Sequence, residues 1–177
     1  MPVSRYLVRT AAAALLIATA SVGNTASPKG NIVAAAQTSP NHKTLVAAVK
    51  AAKLVDTLAS KGPFTVFAPT DAAFAKLPAG TVETLVKPEN RDQLVKILTY
   101  HVVPGQYTAA AILQLINQGN GEAKLTTAEG SELTAKLLLD GKVVVVDENG
   151  GVATVIAADL MQSNGVIHVT DAVSLPA

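Results

Sequence analysis

The stretch Thr65-Val-Phe-Ala-Pro-Thr-Asp-Ala-Ala-Phe-Ala75 reads as a strand that turns directly into a helix. Phe64 to Ala68 are β-prone and alternate in character, which predicts a strand. Thr70 or Asp71 then caps a short helix running to Leu77, with Phe74 on its buried side. A second stretch near the C-terminus, Asn164-Gly-Val-Ile-His-Val-Thr-Asp-Ala-Val-Ser-Leu-Pro176, opens on a turn dipeptide and continues as a strand over Val166 to Val173. In it His168 shares a face with Val166 and Thr170, while Ile167 and Val169 point the other way. Between the two stretches lies Tyr100-His101.

Working outward from the first stretch, the preceding residues are helical. Leu45, Val49, Ala52, Val55 and Leu58 recur at helical spacing, with Lys50, Lys53 and Asp56 off the stripe. That pattern predicts one helix over Lys43 to Ser60, stopped by Lys61-Gly-Pro63. Asn31 to Ala35 fits a short docked segment. Beyond the first stretch, Thr81 to Val86, Glu89 to Leu98 and Thr108 to Ile116 read as helices, and Pro88 suits the start of the second. Tyr100 to Val103 reads as a short strand ended by Pro104-Gly105.

The period then switches from helical to alternating. Strands are expected over Leu125 to Ala128, Ser131 to Leu139, Lys142 to Asp147 and Val152 to Ala157, before the C-terminal strand. Asp140-Gly141, Asn149-Gly150 and Asn164-Gly165 supply the residues that tight hairpin turns require. The unbroken run Val143 to Val146 implies a strand covered on both faces. A helical N-terminal half packed against a mainly antiparallel sheet is an α+β domain. The core is expected as a sheet with helices against one face.

Composition sets further bounds. The 177 residues fit one domain, and 49% hydrophobic content can build a core, although three Phe, three Tyr and no Trp leave the packing to aliphatic side chains. The formal charge of +1 includes Arg5 and Arg9; without them 12 Lys+Arg face 13 Asp+Glu. A surface so close to neutral excludes nucleic acid as a partner, since phosphate binding needs clustered cations. It also gives no basis for polybasic membrane binding.

Residues 1–20 read as a signal peptide. Arg5 and Arg9 precede the apolar run Ala11 to Ala18, and Ala18-Thr-Ala20 resembles a cleavage site, with Ala26 and Ala36 as alternatives. The run is shorter than the roughly 20 apolar residues a spanning helix needs, so no stable membrane insertion is expected after cleavage. Residues 21–40 read as a leader or linker, and 41–177 as the domain. The absence of cysteine removes disulfides and thiolate metal sites. The chain is thus expected to be secreted, extracellular or periplasmic, and held by its core alone.

Most catalytic templates fail. There is no Gly-x-Ser-x-Gly elbow and no phosphate-binding Gly-x-x-x-x-Gly-Lys loop. His42, His101 and His168 form no ligand pair, and Asp147-Glu-Asn-Gly150 fits a hairpin turn better than a calcium loop. No metal or cofactor is expected. Asp71, Asp159 and Asp171 are the carboxylates that a hydrolase would use, but each has a plainer role: Asp71 as helix cap, Asp159 and Asp171 as acceptors for backbone at turns. The chain is read as non-catalytic.

Taken in order, the two terminal stretches and the Tyr100-His101 pair resemble the signature boxes and central motif of the fasciclin domain family, over about Lys29 to Pro176. The resemblance implies a fasciclin-like α+β wedge and a role as an adhesion or interaction module. It also implies candidate partner-binding residues: Tyr100 and His101 match the family's Tyr-His motif without change. Asp159 and Leu160 match its Asp-Ile dipeptide in part, with Leu for Ile. Thr70, Asp71, His168 and Asp171 are expected as structural members of the boxes, and His101 is expected to support the first box through Thr70 or Asp71. The expected partner is a cell-surface or matrix macromolecule, protein or glycan. A small-molecule or lipid carrier, with a pocket between the Lys43–Ser60 helix and the sheet, is the alternative, and a hydrolase stands behind both.

Overall fold

A computed structural model describes residues 30–177; the expected signal peptide and its cleavage site lie outside them. The chain begins with helices α1 (Ile32–Thr38), α2 (Lys43–Ala51) and α3 (Val55–Leu58), then strand β1 (Phe64–Pro69). Helices α4 (Asp71–Ala75), α5 (Thr81–Leu85) and α6 (Arg91–Tyr100) follow, the last entered through a 3-10 turn at Pro88–Asn90. Strand β2 (Val102–Pro104) and helix α7 (Ala109–Gln118) lead to the stranded half: β3 (Glu122–Thr126), β4 (Glu132–Leu137), β5 (Val143–Val146), β6 (Val152–Gln162) and β7 (Gly165–Thr170).

The seven strands form one sheet in the order β2-β1-β7-β6-β5-β4-β3. Every pairing is antiparallel except β1 with β7, which run parallel from Phe64↔Gly165 to Pro69↔Thr170. The two terminal stretches of the sequence analysis are therefore adjacent strands at the centre of the β2-β1-β7 half. Their approach is close: a Cβ on Gly165 would collide with the Phe64 carbonyl oxygen, so only glycine fits.

The expected single helix over Lys43 to Ser60 is two helices. Lys53 sits in the left-handed region at φ 57°, and Leu54 N–H reaches back to Val49 C=O at 3.0 Å. This closes α2 with a helix-terminating turn that glycine usually supplies. The apolar stripe continues across the break because Leu54 and Val55 still pack on the same core. Alternation alone could not see a turn of this kind.

Residues 31–38 are also more than a leader. Asn31 caps α1 by accepting from Ala34 N–H, and Ile32 and Val33 are buried in the helical core. The packed domain therefore begins before Asn41.

The core has two parts, which corrects the expectation of helices against one face. On one side of the β2-β1-β7 half, Val66, Ala68, Val102, Ile167 and Val169 pack against α1, α2, α3 and α6. On the other, Phe67 and Val103 meet Ile112 and Ile116 of α7 and the inward residues Leu125, Leu133, Ala135, Val145 and Ala153 of β3 to β6. The sheet folds across itself into a wedge, and β6 makes the bend through register shifts between Val155, Ala157 and Leu160. Val144 and Val145 are both buried, so β5 is covered on both faces.

Candidate functional site

The Tyr-His pair is interior, which overturns its expected place on a binding surface. Tyr100 is the last residue of α6 and His101 its C-cap, so both side chains enter the wedge where the helix hands over to β2. Tyr100 Oη donates to Glu132 C=O at 2.9 Å and accepts from Glu148 N–H at 3.2 Å. Burial pushes its hydroxyl up to about 12, so it stays protonated. His101 Nδ1–H donates to Ile97 C=O at 2.8 Å, and Nε2 accepts from Ser174 N–H at 3.0 Å. Both ring nitrogens are spent on a neutral imidazole, and burial holds its pKa below the usual range.

His101 does not bond Thr70 or Asp71 through its side chain. Its ring supports the second box at Ser174, while its backbone carbonyl accepts from Phe67 N–H in the first. Thr70 Oγ1 caps α4 by accepting from Ala73 N–H. Asp71 serves a different helix, accepting from Thr44 N–H at the start of α2. The carboxylate near a histidine is again Asp71, but the histidine is His42, which receives Ser39 Oγ at 2.7 Å on Nδ1.

The second-box residues are likewise tied across the fold. His168 stacks on Phe67 with ring centroids 5.5 Å apart. Its Nε2–H donates to Tyr107 C=O at 2.7 Å, and Nδ1 lies 3.4 Å from Asp159 N–H. Asp171 accepts from Thr154 N–H at 2.7 Å across the sheet, rather than closing a turn through its own backbone. The three carboxylates weighed for hydrolysis, Asp71, Asp159 and Asp171, each accept a backbone N–H from a different element.

Asp159 occupies the bulge of β6 at φ 57°. Its Oδ1 accepts from Ala109 N–H at 2.7 Å, fastening the bulge to the first turn of α7 rather than to the Asn164-Gly165 turn. The bulge turns Leu160 and Met161 outward, 42% and 44% exposed, beside Ile156 at 58%. Of the four residues expected to meet a partner, Asp159 and Leu160 are on the surface; Tyr100 and His101 brace the wedge from within and form no hydrogen bond to Asp159.

Two further residues organise the fold and were read only as turn formers. Asn164 accepts from Ile32 N–H at 2.9 Å and donates to Leu58 and Ser60 C=O at 2.7 and 2.8 Å, joining α1, α3 and the second box. Asp147 gathers N–H groups from Asn149, Gly151 and Leu175, so the β5–β6 turn holds the C-terminal segment. Buried Asn and Asp beside Gly are ambiguous in sequence, because a turn and a long-range clamp use the same residues.

A cavity lies where a carrier's pocket was expected. It is lined by apolar side chains of α1, α2, α3 and α6, among them Ile32, Leu45, Val49 and Leu98, with Val66 and Val102 from the sheet. Its volume is about 30 Å³. Ligand pockets run to several hundred Å³, so as folded it holds no lipid.

Seven strands wrapped into a wedge, with the two boxes paired in parallel and a Tyr-His pair bracing them, define one class of α+β domain. The chain belongs to the fasciclin domain family, whose model matches residues 40–176. It is 57% identical to Protein sll1483 of Synechocystis over 145 residues, 82% of this chain and 73% of that one. It is 33% identical to the cell surface glycolipoprotein MPB83 of Mycobacterium bovis, covering 82% of this chain and 60% of that one. Among solved structures it matches a FAS1 domain pair from the insect cell adhesion molecule fasciclin I, with TM-score 0.71 and 22% identity. That match covers 82% of this chain and half of the insect one. Fasciclin domains occur in adhesion and extracellular proteins and are generally non-catalytic. Among the described residues no helix is long and apolar enough to cross a membrane.

Proposed function

We propose that this chain is an exported, non-catalytic adhesion module that binds a cell-surface or matrix macromolecule through the bulged outer half of β6. The observation that carries this reading is the exposure of Leu160 and Met161 beside Asp159, on a strand whose opposite edge is paired to the buried β7. A rigid frame behind an exposed apolar strand presents contacts at little ordering cost. Asp159 sets the direction of that strand through Ala109, and Tyr100 and His101 keep the frame. The cell-surface location that MPB83 is named for supports export.

The test is attachment of the labelled chain to intact cells of the organism that makes it, beside a Leu160→Ser, Met161→Ser variant. Circular dichroism should show both folded, and the variant should attach about tenfold less, the loss expected for removing a central apolar contact. Equal attachment by both would remove β6 as the contact surface.

A further inference from the structure

The hairpin joining β4 and β5 ends in three consecutive leucines that the described residues leave exposed in whole or in part. Leu137 and Leu138 are 42% and 43% exposed, and Leu139 is fully exposed. The turn is tightly made: Leu138 N–H donates to Lys142 C=O and Gly141 N–H to Leu138 C=O, both at 2.9 Å, with Gly141 at φ 82°. Asp140 Oδ1 adds a bond from Lys142 N–H at 3.1 Å. A turn fixed this way cannot fold its leucines back onto the core, and turn positions favour Asp, Asn and Gly, not Leu. The fold does not account for them.

Two lysines flank the tip. Lys136, partly exposed, and Lys142, exposed, pair with Glu122 and Asp140, each at 3.0 Å. Exposed ion pairs of this sort contribute little, so both ammonium groups remain free to change partner. Behind the tip, Gly141, Lys142 and Val143 form one wall of an open groove of about 310 Å³, and the exposed Ile156 belongs to its other wall. The apolar surface thus runs from the end of the hairpin toward β6.

We propose that this hairpin tip is a membrane-contact element that dips Leu138 and Leu139 into the boundary between headgroups and acyl chains of a phospholipid bilayer. The shape favours a bilayer over a protein pocket. A projecting, convex tip needs no matching cavity in an interface that parts around it. Leucines set between lysines place apolar groups inward and cations at phosphate depth. Asp140 and Glu122 are the opposing charges beside the tip, and their pairing with Lys142 and Lys136 offsets them. Because the surface as a whole is near neutral, no long-range attraction adds to this, and the contact is shallow and reversible. It holds the module flat against a surface without spanning it.

The chain contains no tryptophan, so a single introduced indole reports its own surroundings. The full chain is prepared as Leu139→Trp and, separately, as Val152→Trp, an exposed position at the start of β6 opposite Val146, away from the tip. Each is mixed with vesicles of equal parts phosphatidylcholine and phosphatidylglycerol. The expected result is a blue shift and protection from iodide for Leu139→Trp only, with about tenfold weaker vesicle binding once Leu138→Ser is added. The reporter is local, so vesicle attachment through the N-terminal apolar run would not mimic it. Unchanged emission, or an equal shift at both positions, overturns the proposal. A shift that appears without vesicles as protein concentration rises overturns it in favour of a second copy of the chain.

Discussion

Tyr100 and His101 are consecutive residues that hold different parts of the wedge, and substituting either leaves buried partners behind. Tyr100→Phe strands the Glu148 N–H and Glu132 C=O and is expected to cost about 1–3 kcal/mol. His101→Ala strands Ser174 N–H and Ile97 C=O and opens a cavity, so about 2–4 kcal/mol is expected, read from urea midpoints. The histidines also make stability depend on pH. Burial depresses His42, His101 and His168 below 6.5 in the folded chain, and unfolding returns them to it. Below 6.5 the unfolded chain therefore takes up protons that the folded chain refuses. Stability is complete above that value and declines as pH falls toward the folded-state values, so the urea midpoint should be lower at about pH 5.5 than at about pH 7.5. An unchanged midpoint would contradict neutral, buried rings. That His101 and His168 are structural was within reach of the sequence, since both lie among apolar neighbours, whereas His42 sits between Asn41 and Lys43. Which groups they bond was not: His101 could reach either box, and only the packing sends its ring to Ser174.

Helix α2 ends on Lys53 in a conformation that favours glycine. Lys53→Gly should therefore stabilise the chain by about 0.5–1 kcal/mol, and a lower melting temperature would refute the turn. The stranded half shows what alternation can and cannot reveal. Its hairpins and strand order are legible because Asp140-Gly141 and Asn149-Gly150 mark tight turns between period-two runs. The bend of β6 is not legible: Ala157 to Gln162 lose the alternation where the bulge at Asp159 reverses which side chains face out. Helix α1 escaped a firm reading because seven residues give too few repeats to establish a period. Its docking depends on Asn164, far along the chain. Asn164→Ala removes that anchor together with two more hydrogen bonds. Hydrogen exchange should then show α1 opening before the rest of the domain.

At the level of the whole molecule, the two boxes are strong local signals whose pairing is invisible to any local pattern. Neither alternation nor turn chemistry states that β1 and β7 lie side by side and parallel; only the folded register shows it. A chain ending at Gln162 retains every helix and six strands, yet loses the partner of β1 and β6 and the segment that Asp147 and His101 hold. It should show no cooperative unfolding transition, and a sharp transition would mean that β7 only decorates the sheet.

That central position of the final strand also has a consequence during synthesis. Long-range parallel pairing forms late, because the loop it closes is almost the whole domain. The sheet cannot be completed while the ribosome still holds β7, so the growing chain remains threadable. A polypeptide in that condition is the form that a translocation channel accepts, and the same pairing then locks the fold once β7 is free.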